Sequence, residues 1–71
     1  MVKNRIRELR KSMSISQEAL AEVIHTTQQA VSRMENHAYD IPSESLIEMA
    51  KYFNVTADYI LGVSDTKRDY N

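Results

Sequence analysis

An all-α fold of five short helices is what this 71-residue sequence predicts, and three observations carry the prediction. Apolar residues recur at three- and four-residue spacing almost from end to end, and nowhere do they hold the two-residue alternation of a half-buried strand. Side chains suited to capping a helix N-terminus, Ser16, Thr27, Ser43 and Thr56, stand directly before four of the periodic stretches. The one proline, Pro42, and the one glycine, Gly62, fall at expected helix boundaries rather than inside helices.

The first helix is expected over about 3–12, with Ile6, Leu9 and Met13 forming its buried stripe and the basic side chains turned outward. Ser16 then caps a second helix over 17–24, whose Leu20, Ala21, Val23 and Ile24 supply an apolar face, while Glu18 favours the positive end of the helix dipole. Only His25 and Thr26 separate it from Thr27, which caps a third helix over 28–36. Stepping 100° per residue divides this helix in two: Ala30, Val31 and Met34 point one way, and Gln28, Gln29, Ser32, Arg33 and Asn36 the other. After a loop over 37–42, Ser43 is placed to cap a fourth helix carrying Leu46, Met49, Ala50 and Phe53. Thr56 caps a last one with Tyr59, Ile60 and Leu61, and Gly62 ends it. Residues 1–62 thus read as one domain, and the polar stretch 63–71 as a frayed C-terminal tail. Ile47, Tyr52, Tyr59 and Ile60 extend the core or form a dimer patch; apolar spacing does not separate these.

Composition narrows the function. A chain without cysteine forms no disulfide and no thiolate metal site, which suits a reducing, cytoplasmic setting and leaves apolar packing to stabilise a small core. The N-terminus mixes charge and apolar residues at once, so neither an export signal nor a membrane span is expected. A single glycine rules out a Gly-rich phosphate loop, and His25 and His37 stand apart from any carboxylate spaced as in zinc hydrolases. The expectation is a non-enzyme with no metal and no cofactor. Net charge is −1, but it is unevenly distributed. Lys3, Arg5, Arg7, Arg10 and Lys11 face only Glu8 in the first thirteen residues, whereas from residue 38 onward six acids outnumber three bases.

Two short helices joined by a two-residue turn, the second apolar inside and polar outside, make a helix-turn-helix. The run Gln17-Glu18-Ala19-Leu20-Ala21-Glu22-Val23-Ile24, followed by Thr26-Thr27-Gln28-Gln29-Ala30-Val31-Ser32-Arg33-Met34-Glu35-Asn36, resembles the lambdoid phage repressor and Cro family, also called the Xre family. The likeness extends over about 5–61, including the Pro42-Ser43 helix start and the closing Val55-Thr56-Ala57-Asp58-Tyr59-Ile60-Leu61. Physical reasons accompany it. Ala21 sits where the two helices approach most closely, so a small side chain is needed there, and Leu20, Ile24, Val31 and Met34 fill the wedge between them as the motif core.

The resemblance implies a compact phage-repressor-like domain that binds double-stranded DNA, with the third helix in the major groove. It makes Gln28 and Gln29 the principal base readers, and a glutamine amide can indeed bind adenine N6 and N7 bidentately. Ser32 and Arg33 follow one turn along the same face; Arg33 suits either a guanine edge or a phosphate. Gln17, Thr27, Asn36 and Arg10 are the implied contacts to the DNA backbone, and Arg10 with Glu35 resembles a family pair bridging the first and third helices. Such a pair chiefly fixes geometry.

Two positions depart from the family pattern. Where a left-handed glycine usually joins the motif helices stands His25, tolerated there at some strain, and where another glycine usually follows the third helix stands His37. The loop after it also lacks the basic residues often found there, so a shallow salt dependence is expected for this class. The resemblance implies a transcriptional regulator, most naturally a homodimeric repressor on a palindromic operator, with no small-molecule effector domain in the chain. The alternative on the same fold is an antitoxin or adaptor that binds a protein partner, favoured by the acidic C-terminal half.

Overall fold

The computed structural model describes residues 4–37 and 41–66. Five helices follow in order: α1 (Ile6–Ser12), α2 (Gln17–Val23), α3 (Gln28–Asn36), α4 (Ser43–Phe53) and α5 (Ala57–Leu61). There is no strand among the described residues. Every helix contributes to one core, because Ile6, Leu20, Val31, Met34, Met49 and Ile60 are all essentially removed from solvent. Each such side chain stabilises the fold by roughly 1.5–3 kcal/mol relative to exposure. Tyr59 and Ile60 therefore belong to the core, whereas Ile47 is exposed on α4 and Tyr52 is half-buried, edge-on to Phe53.

Three of the four expected caps form. The hydroxyl oxygens of Ser16, Thr27 and Thr56 accept from the backbone N–H of Ala19, Ala30 and Tyr59, at 3.0, 3.1 and 3.0 Å. The fourth differs. Pro42 is the N-cap of α4 and Ser43 its first helical residue, with no side-chain cap bond. Proline holds an extended entry to the helix through its own φ of −63°, so the turn is set by the ring rather than by a hydroxyl.

The helix C-termini share one device. After α1, α2, α4 and α5 the chain enters the left-handed region, at Ser14, His25, Asn54 and Gly62 (φ 58°, 60°, 59° and 81°). In each case that residue and the next donate N–H groups back to carbonyls of the last turn; Thr26 N reaches Ala21 O at 2.8 Å and His25 N reaches Glu22 O at 3.3 Å. Glycine serves once, so three side-chain-bearing residues adopt a conformation costing about 1–2 kcal/mol in an L-residue, with asparagine the most tolerant of them.

Two expectations change. Met13 is 44% exposed instead of closing the α1 stripe, because α1 stops at Ser12 and the turn at Ser14 carries the chain away before another turn of helix can bury it. The tail expected to fray is held at its start. Arg5 Nη1 donates to Tyr59 O at 2.8 Å and to Ser64 O at 2.7 Å, its Nη2 pairs with Asp65, and its guanidinium lies over the Tyr59 ring at 4.1 Å. Arg5 N also donates to Ile60 O at 2.7 Å, joining the two ends of the domain. The expected start of the first helix at residue 3, the middle of the 37–42 loop and the tail beyond residue 66 lie outside the described residues.

Candidate nucleic-acid interface

The candidate surface is built by two helices and the turn between them. α2 and α3 are the most closely packed pair in the domain. Leu20, Ala21, Ile24, Val31 and Met34 are buried, Ala21 with 4% of its surface left. The turn is set by the left-handed His25, and Thr27, extended at φ −100°, starts α3 with its own cap. These constraints fix the direction of α3 without help from a ligand.

Its outer face then follows from the helical period. Gln28, Gln29, Arg33 and Asn36 are exposed, Ser32 is half-buried, and Thr27 is exposed at the N-terminus. No described side chain covers either glutamine amide or the Arg33 guanidinium with a hydrogen bond or ion pair. Asn36 Nδ2 is folded back along the helix, donating to Ser32 O at 2.8 Å. The face offers donors and acceptors in alternation, a chemistry suited to base edges and phosphates.

Behind the face lies a buried carboxylate. The side chain of Glu35, on the inner side of α3, has no exposure. It accepts from Arg10 Nε at 2.7 Å and Arg7 Nε at 3.4 Å, both on α1, and from Gln17 Nε2 at 3.0 Å, on α2. One residue thus ties together all three helices that set the attitude of α3. Burial pushes its carboxyl up, but the hydrogen bonds from Arg10 and Gln17, the charge of Arg10 and the bond from Arg7 together outweigh it and hold the group below its ordinary 4.5. Among the described residues no buried side-chain nitrogen or oxygen lacks a partner.

This network changes the setting of two expected backbone contacts. Arg10 directs Nε to Glu35 and Nη1 to Ile15 O at 2.9 Å, with its side chain 11% exposed, so both nitrogens are engaged inside the domain. Gln17 is half-buried, with its amide N–H turned to Glu35. Sequence reasoning did not find Gln17 and Arg7 as partners of Glu35. Nor did it find Asn4, whose Nδ2 donates to Met34 O at 2.6 Å while its Oδ1 accepts from Ile6 N at 3.0 Å, linking the start of α1 to the last turn of α3. Only the spacing of Arg7 and Arg10, one turn apart on α1, offered a signal.

A small core, a capped and rigidly seated second motif helix, and a polar face left outward define a helix-turn-helix domain. The chain belongs to the helix-turn-helix family of the Xre type, whose profile matches residues 6–60. It is also 34% identical over 61 residues to YobD of Bacillus subtilis (strain 168), described as an uncharacterized HTH-type transcriptional regulator; the alignment covers 86% of this chain and 54% of YobD. The chain therefore spans about half the length of that relative. No solved structure gives a significant match.

Proposed function

We propose that this chain is a sequence-specific DNA-binding transcriptional regulator, acting in the cytoplasm as a homodimeric repressor on a palindromic operator. The observation that carries the reading is the outward face of α3: Gln28, Gln29 and Arg33 stand exposed on a helix whose inner side is locked into the core. With α3 in a major groove, Gln28 and Gln29 read adenine edges, and Ser32 and Arg33 extend the readout by one turn. Thr27 and Asn36, at the two ends of the helix, and Gln17, at the start of α2, meet the flanking phosphates. Arg10 serves the interface from behind, through Glu35. The name of YobD, a transcriptional regulator, supports the same role.

Dimerisation follows from the size of the readout. One short helix covers too few base pairs to be selective among genomic competitors, whereas two related by a dyad reach successive major grooves about 34 Å apart. Selection of bound sequences from a random duplex library, with sedimentation of the protein on the selected site, tests both parts. The expected result is an inverted repeat bound by two chains. A chain that stays single on a lone half-site overturns the dimer, and one that selects no sequence overturns the DNA reading in favour of an adaptor or antitoxin.

A further inference from the structure

Between the outer side of α1 and the last turn of α3 runs a cleft of about 260 Å³, lined by Asn4, Arg7, Glu8, Lys11, Glu35 and Asn36. We propose that this cleft is a second seat for the nucleic-acid backbone, in which Arg7 and Lys11 of α1 hold a phosphate beside Asn36. The proposal rests on the DNA-binding reading above and adds to it a contact surface on α1.

Four observations lead there. The N-terminal cations are not equivalent once the chain is folded: Arg5 is engaged by Ser64, Asp65 and Tyr59, and Arg10 by Glu35 and Ile15, leaving Arg7 and Lys11 as the α1 cations that face outward. Arg7 keeps 55% of its side chain exposed although its Nε reaches Glu35. Lys11, one turn along on the same side of α1, is exposed; its carbonyl accepts from Ser14 N at 3.0 Å, but its ammonium makes no hydrogen bond or ion pair among the described residues.

The cleft is also continuous with the α3 face. Asn36 belongs to both, and Arg7 shares the Glu35 Oε1 acceptor with Gln17, so both α1 cations line the cleft with Asn36 and Arg7 is also linked through Glu35 to Gln17 at the other end of the candidate interface. Charge favours an anion. Of the two carboxylates lining the cleft, Glu35 is buried and neutralised by Arg10, which leaves Glu8 alone against Arg7 and Lys11 at the surface. Finally, the segment 37–42 that follows α3 contains no lysine or arginine. The cations that hold the backbone near the end of α3 come instead from α1.

The test uses the full chain and its selected duplex, with Kd measured by fluorescence anisotropy over a series of salt concentrations. Lys11→Gln should weaken binding on cognate and random duplexes alike and reduce the slope of log K against log salt by about 0.9, one phosphate contact. The pair Arg7→Gln and Lys11→Gln should reduce it by about twice that. Glu8→Gln should strengthen binding on every duplex by a similar factor. Because Arg7 also touches Glu35, thermal melts accompany its variant, and Lys11→Gln carries the test should that variant lose structure. A slope unchanged by Lys11→Gln, while the wild-type chain binds normally, overturns the seat alone. Failure of the wild-type chain to bind any duplex overturns the reading beneath it.

Discussion

Replacing Glu35 by alanine removes a carboxylate that ties α1 and α2 to α3. What is left behind decides the cost. Arg10 keeps only 11% of its side chain exposed, so its guanidinium would be left partly desolvated with no counter-charge, and the Gln17 amide would lose its acceptor. Breaking a buried pair from one side costs about 3–5 kcal/mol. The remaining exposure of Arg10 and the long, half-solvated contact from Arg7 place this site near the lower end, at about 3 kcal/mol. For a chain of this size the whole stability is roughly 4–10 kcal/mol, so the loss is large. At about 4–8 °C per kcal/mol, Tm should fall by about 12–24 °C.

The pH dependence gives a second, independent readout. A carboxyl held lower in the folded chain than in the unfolded one stabilises the fold above its unfolded value, and that stability is lost as pH falls through the folded value. The wild-type chain should therefore weaken progressively below about pH 4.5, and Glu35→Gln should lack this component. Circular-dichroism melts of wild type, Glu35→Ala and Glu35→Gln between pH 7 and 3 measure both effects. A Glu35→Ala variant melting within about 2 °C of wild type would refute the reasoning.

Two further substitutions probe the seat of α3. Ala21→Leu, at the buried crossing of α2 and α3, should destabilise by about 1–3 kcal/mol through overpacking and weaken DNA binding as a consequence, read by chemical denaturation beside a binding titration. His25→Gly should do the reverse. Relief of left-handed strain of about 1–2 kcal/mol, offset by the greater entropy that glycine loses on folding, leaves a net gain of about 0.5–1 kcal/mol, visible as a Tm raised by a few degrees.

What the sequence made legible is what is local in the chain. The caps at Ser16, Thr27 and Thr56, the stop at Gly62 and the two faces of α3 each depend on residues within one or two helical turns of one another, so pattern and spacing reveal them, whereas the left-handed turn at His25 is expected from the family resemblance, which places a glycine there. Ser14 and Asn54 use the same left-handed device, yet neither position carries the glycine that announces it. Met13 misled because its spacing from Ile6 and Leu9 is correct for a helix that ends one residue earlier. The rest depends on distant partners. Arg5 meets groups 54 to 60 residues away, and Asn4 one 30 away, so no window of sequence holds both halves of either contact. Hence the basic N-terminus reads as a uniform charged face in the sequence, whereas among the described residues the fold separates Arg5 and Arg10, which hold the domain together, from Arg7 and Lys11, which look outward.

The central claim is that the amides on α3 meet bases, and it is tested most directly by titrating Gln28→Ala and Gln29→Ala against the selected duplex and against copies changed one base pair at a time. Each variant should keep the wild-type Tm, bind the selected site about 1–3 kcal/mol more weakly, and lose discrimination at one position only. Variants that bind and discriminate as the wild type does would contradict it.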